Sequence, residues 1–309
     1  MKLFSIEPAA FSAREGLRGK ANLTIRADTM RRTAPTLESY RVVSGVAVID
    51  IRGIMLASPD ILDEFFGGFT NTRTVTRQVE LASVDNTVKA IVLRIDSPGG
   101  SVDSLSELGD AVREAAQRKK VIAQVEGLCA SAAFYAAASA TEIVAGRTDL
   151  VGSIGTIVTI YDSSEAAKSA GLRVVPITTG KYKAVGLFGT PLTADEQAYL
   201  QSIVDSYFLD FQHAVFTGRG TRLSLADWSQ VSDGRVFVAS DAMRLGLVDR
   251  LGRMGDTMAR LHGDFLRVQG RVQRSMLAVG DIDARRRMED RVIKQRMAIQ
   301  RAELQTARR

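Results

Sequence analysis

The run Lys89-Ala-Ile-Val-Leu-Arg-Ile95 restricts the fold more than any other stretch of this chain. It is almost continuously apolar and too short for a buried helix. A strand of that kind is at home in a parallel sheet with both faces covered. A helix-period stretch precedes it, with Val75, Val79 and Ala82 on one face of residues 72–82. Another follows it over 101–117, spaced by Leu105, Leu108 and Val112. Strand-like runs then recur at Val42–Ile51, Val121–Val125, Thr141–Ala145, Ile154–Ile160 and Leu172–Thr178, with helical stretches between most of them. Ser163 to Ala170 reads as a helix closed by Gly171, and Ser240 to Leu245 as one stopped by Gly246. Thr193 and Glu196 form the sequence signature of a capping box, opening a helix that runs to about Thr217. Strands alternating with helices predict an α/β fold with a largely parallel sheet.

Three domains of sequence are expected: an arm or leader over 1–40, a folded domain over 41–265, and a basic polar extension over 266–309. The net charge of +6 belongs to the tail. Residues 284–309 carry nine Lys or Arg against three Asp or Glu, so the rest of the chain is neutral and offers no electrostatic footprint for nucleic acid. No apolar run approaches the roughly 18 residues of a membrane span, and the first residues lack the apolar core of a secretory signal. A location in the cytoplasm is the expectation. The single cysteine, Cys129, excludes an internal disulfide and a cysteine zinc site. His213 and His262 have no ligand spacing and leave little material for a histidine triad.

Ligands in open α/β sheets bind beyond the carboxyl ends of the strands. Several chemistry-bearing stretches fall near such ends. Asp96-Ser-Pro-Gly-Gly100 is either a plain turn or a backbone free to aim an N–H at a ligand. Ser131, between a strand-like run and an Ala-rich helix, is either a helix cap or a hydroxyl placed for chemistry. Gly180-Lys-Tyr-Lys183 is either an exposed basic loop or a source of a base, and Val151-Gly-Ser-Ile-Gly155 lies just before an expected strand.

In this order, and with Asp233-Gly-Arg-Val-Phe237 and Leu245-Gly-Leu-Val-Asp249 after them, these words resemble the signal peptide peptidase A family of Ser-Lys serine peptidases from about Val42 to Gly252. The resemblance implies the Clp protease/crotonase-like fold and a serine endopeptidase. It implies Ser131 as nucleophile, Lys183 as general base and Ser153 as the residue orienting that lysine. Gly100, with Gly99 beside it, would supply an oxyanion-hole N–H, and Ala132 a second one. Ala132-Ala133 departs from the glycine of many relatives. The residue types suit the chemistry. A serine hydroxyl needs a base, and a lysine can act as one if burial brings its pKa from about 10.4 toward about 7–8. Val185, Leu187 and Phe188 are candidates for that dry lining, and Lys181 is the competing base.

No metal or cofactor is implied. The leader, the Gly180–Gly186 region and the basic tail look like the phage prohead protease branch, of the protein C type. That branch implies cleavage of scaffold, portal or coat precursors, in host cytoplasm or prohead, by a homo-oligomer whose subunits complete the site. Two alternatives remain: a bacterial peptidase degrading signal peptides or other peptides, and a crotonase-like acyl-CoA enzyme.

Overall fold

The computed structural model describes residues 4–6, 40–58, 68–271 and 294. Most of the expected leader and most of the expected C-terminal extension lie outside the described residues. In chain order the strands are β1 (Phe4–Ile6), β2 (Arg41–Val43), β3 (Val46–Arg52), β4 (Ile54–Leu56), β5 (Phe69–Asn71), β6 (Ala90–Ser97), β7 (Gly99–Ser101), β8 (Lys120–Ala130), β9 (Glu142–Ala145), β10 (Leu150–Gly152), β11 (Val236–Val238) and β12 (Arg250–Leu251). The helices are α1 (Thr72–Val84), α2 (Leu105–Arg118), α3 (Ala132–Ala138), α4 (Ser164–Ser169), α5 (Ala194–Arg219), α6 (Leu225–Val231) and α7 (Ala239–Arg244). The chain divides into two compact units, 1–258 and 259–309. The described residues of the second are helical.

The main sheet runs β11-β10-β8-β6-β3-β2, with β9 also on β8 and β12 on β9. Pairings β3/β6, β6/β8, β8/β9 and β8/β10 are all parallel. Parallel strands need crossover helices, which cover the faces, so the strands can be apolar throughout. Accordingly Ile91, Val92, Leu93 and Ile95 of β6 and Val121, Ile122, Ala123 and Val125 of β8 are all buried. A second sheet, β1-β7-β4-β5, stands beside the site described below.

β8 is longer than the run 121–125 suggested, because it serves two neighbours in succession. Residues 122–124 pair with β9, and residues 128–130 with β10. Between these parts β8 bulges. Ile95 faces Val125 but Ser97 faces Cys129, so β8 carries two extra residues there. Gly127 takes the bend at φ +121°, and the Asp96 carboxylate accepts the Leu128 N–H at 3.2 Å.

The alanines of α3 are explained by close approach. All seven of its residues are buried. A Cβ on Gly218 of α5 would lie 2.0 Å from the Ala138 carbonyl oxygen, so only glycine lets α5 pass this near. Tyr135 fastens the two helices by donating to Asp210 at 2.9 Å. Helix α5 opens with the expected capping box, Thr193 and Glu196.

The far end of α5 is held by a buried ion pair. Arg219, with no side-chain exposure, donates through Nη2 and Nη1 to Asp249 at 2.7 and 3.0 Å and through Nε to the Gly246 carbonyl at 3.0 Å. Asp249 also accepts the Ile143 N–H at 2.7 Å. Asp249→Asn keeps the size but leaves the guanidinium without its charge partner. We expect a loss of about 2–3 kcal/mol, read as a lower denaturant midpoint with an unchanged slope.

Two expected strands do not form. Over 154–160 there is only an isolated bridge at Ile157, and 172–178 has no strand. Both are rich in β-branched residues, but propensity makes a strand only where a partner edge exists. Here Val175 and Ile177 stand exposed.

Candidate functional site

Three parallel neighbours, β6, β8 and β10, end on the same side of the sheet, and the turns after them carry the expected site residues. Ser97 pairs with Cys129, two residues ahead of Gly99 and Ser131 respectively. Gly152 pairs with Ala130, one residue ahead of Ser153 and Ser131. Parallel register thus brings the Pro-Gly-Gly turn, Ser131 and Ser153 abreast.

Ser131 links β8 to α3 at φ 55°, ψ −121°, and its side chain makes no capping hydrogen bond to the helix. The helix-cap reading therefore fails. A non-glycine residue in such a region costs about 1–3 kcal/mol and persists only where the surroundings impose it. They do so here: the Ser131 N–H donates to the Gly152 carbonyl at 2.8 Å, and its own carbonyl accepts the Tyr135 N–H at 3.0 Å. A sharp strand-to-helix turn with a strained serine at its apex is the geometry of a nucleophile elbow. Ser153 has the same left-handed character, φ 52°, and is fixed by its N–H to the Arg235 carbonyl at 2.7 Å. Both serines are buried.

The Gly99 N–H is taken by the Ser97 hydroxyl at 3.1 Å, and that hydroxyl donates to the Gly53 carbonyl at 2.6 Å. Gly99, at φ +94°, therefore shapes the turn. Gly100 is confined differently. A Cβ there would lie 1.8 Å from the Met55 carbonyl oxygen on β4. Ala132 opens α3 and is fully buried. Burial raises the Cys129 thiol far above its ordinary range, which removes it as a nucleophile at neutral pH.

Lys183 lies apart from this buried group in its surroundings. It sits in an exposed turn, its N–H donating to the Gly180 carbonyl at 3.1 Å. Leu187 and Phe188 are exposed, so the dry lining expected of them does not form within one chain. The reason is local: 181–186 is a succession of turns and offers no face to fold over an amine. Lys181, the competing base, is ion-paired with Asp195, which holds its ammonium above the usual lysine range. That is the opposite of what a base requires.

Two residues went unnoticed in the sequence. Asp195 and Tyr199 lie on the first turns of α5; the first pairs with Lys181, and the second stacks on Tyr182, with ring centres 4.6 Å apart and planes 17° apart. The far end of the loop is tied by the Gly189 N–H to Ser163 Oγ at 2.8 Å and the Leu192 N–H to Asp162 at 3.2 Å. Asp195 and Tyr199 are i and i+4 on one helix, a spacing visible in the sequence, but nothing there points to the loop they hold.

No helix among the described residues is long and apolar enough to cross a membrane. Among known proteins, a putative protease of Methanocaldococcus jannaschii is 36% identical over 57% of this chain and 56% of its own. Protease 4 of Haemophilus influenzae is 29% identical over 79% of this chain and 38% of its own. The capsid assembly protease C of Escherichia phage lambda is 26% identical over 71% of this chain and 49% of its own. The chain thus spans about half the length of these relatives or less. The Clp protease family profile matches residues 54–146, in keeping with the expected Clp protease/crotonase-like fold. The profile of peptidase family S49 covers residues 101–265, more than half of the chain and the turns that carry Ser131 and Ser153, and on that match the chain belongs to peptidase family S49.

Proposed function

We propose that this chain is a serine endopeptidase working through a Ser131–Lys183 dyad. The neutral amine of Lys183 takes the proton of the Ser131 hydroxyl as Oγ bonds to a peptide carbonyl carbon. The Gly100 N–H, with that of Ala132, holds the oxygen that becomes negative. The tetrahedral adduct expels its amine, which receives the proton from Lys183. Water, deprotonated by the same lysine, then cleaves the ester and restores Ser131. Ser153, at the adjoining strand end, orients the lysine. The observation that carries this reading is the strained, buried Ser131, at a strand-to-helix apex, doing no capping work.

The base must be dry to be neutral, and a second copy of the chain is the proposed cover. Ile157, Tyr161, Leu172, Val175, Ile177 and Phe188 are all exposed between residues 157 and 188 and are the apolar side chains that a second copy would cover. The proposed substrates are capsid, portal or scaffold precursors, supported by the likeness to the phage lambda protease. General peptide degradation is the second reading, favoured by the higher identity of the Methanocaldococcus and Haemophilus relatives.

A fluorophosphonate probe tests the nucleophile directly. Peptide mapping should find the adduct on Ser131 alone, and a label elsewhere or none at all would sink the dyad. The Tyr182–Tyr199 stack offers a finer test. Tyr199→Ala should lower kcat about tenfold with KM nearly unchanged, because a ring pair worth about 0.5–1.5 kcal/mol no longer fixes the loop. Tyr199→Phe, which keeps the ring, should restore the rate.

A further inference from the structure

β7 holds Gly99 and Gly100 and has two long edges. Met55 of β4 pairs with Gly100 on one of them. On the other lies β1, antiparallel, with Ile6 opposite Gly99, Ser5 opposite Gly100 and Phe4 opposite Ser101. The sheet order β1-β7-β4-β5 makes β1 the outermost strand, so without it the Gly99–Ser101 edge would be bare. That edge stands beside the strand-to-helix turn of Ser131, since Ser97 and Cys129 are in register and α3 packs against β7.

A peptide whose carbonyl is to reach Ser131 beside the Gly100 N–H has to lie along β7. An extended chain docks there by adding itself as a strand, since its main-chain N–H and C=O groups then pair with the open ladder. β7 has room for one such strand, and residues 4–6 are on it. We propose that residues 4–6 are a built-in occupant of the peptide-docking edge, and that substrate must displace them. An occupant tethered to its own site competes at high effective concentration, so the full chain is held back until a longer or better-fitting strand takes its place. Such restraint suits a peptidase that must not cleave before its substrate is assembled. The proposal builds on Ser131 as nucleophile for its meaning, but the docking claim concerns only the edge.

The test uses the full chain and the double variant Ser5→Pro/Ile6→Pro. Neighbouring N–H groups of a strand point to opposite sides, so one of these two prolines removes a donor facing β7 whichever way the ladder alternates. A fluorescent synthetic peptide of residues 2–7 is titrated into both proteins, and amide exchange is followed at Gly99–Ser101. The variant should bind the peptide at least about fivefold tighter, as expected if the edge is open only a minor part of the time in the parent. An amide of Gly100 or Ser101 should exchange faster before the peptide is added, whereas the Gly99 N–H stays with the Ser97 hydroxyl. Equal affinities overturn the proposal, and so does unchanged exchange. Fluorophosphonate labelling is run in parallel. If tighter peptide binding appears but Ser131 never labels, the docking edge stands and the catalytic reading falls.

Discussion

Ser131→Gly is expected to abolish peptide hydrolysis and to melt above the equally inactive Ser131→Ala. Loss of a nucleophile that works as a unit with its base costs on the order of 10⁴-fold or more in kcat. The stability gain has a separate origin. Ser131 is held at φ 55°, ψ −121° by hydrogen bonds of its backbone to Gly152 and Tyr135, all of which glycine keeps. Glycine occupies that region without the Cβ penalty of about 1–3 kcal/mol. Against this stands the extra freedom glycine has in the unfolded chain, about 0.4–1 kcal/mol. The balance favours glycine over alanine by about 1 kcal/mol, which for a domain of this size separates their thermal midpoints by about 2–4 °C. Ser131→Ala loses the same hydroxyl but keeps the Cβ, so the pair isolates the backbone strain. Calorimetry on the three proteins reads the difference. A glycine variant that melts no higher than the alanine variant would mean that the backbone strain is not there to be relieved.

Lys183→Ala should lower kcat/KM by about 10³-fold, within the range general bases contribute, with Ser131 still present and the fold intact. Lys181→Ala should change the rate by less than about threefold. Its ammonium is tied to Asp195 on the surface, where solvent screens such a pair and it contributes little. The two lysines flank one tyrosine, so this comparison separates base from neighbour. An unchanged rate for Lys183→Ala would end the Ser-Lys assignment.

The core was largely legible in the chain because burial on both faces leaves a mark in the sequence. Residues 89–95 and 121–125 are apolar for the same reason that they form β6 and β8. The capping box of α5 was legible because its two residues are only three positions apart. Strand propensity alone misled at 154–160 and 172–178, where exposed Val175 and Ile177 have no partner strand. The same kind of error underlies the lining of Lys183. Leu187 and Phe188 are the right residue types, but a run of turns cannot bury them.

What the sequence determined by itself was the alternation of strand and helix; the serine, lysine and glycine positions it offered for chemistry are the ones proposed above. Whether Ser131 capped a helix or stood strained at its entrance was left open, since both need a small hydroxyl residue after a strand. The tertiary structure decided it through pairings between residues far apart in the chain. The parallel registers Ser97 to Cys129 and Gly152 to Ala130 bring three turns side by side. The Gly152 carbonyl then binds the Ser131 N–H and forces the left-handed bend. Register is a relation between strands, and it is written in no single stretch of residues.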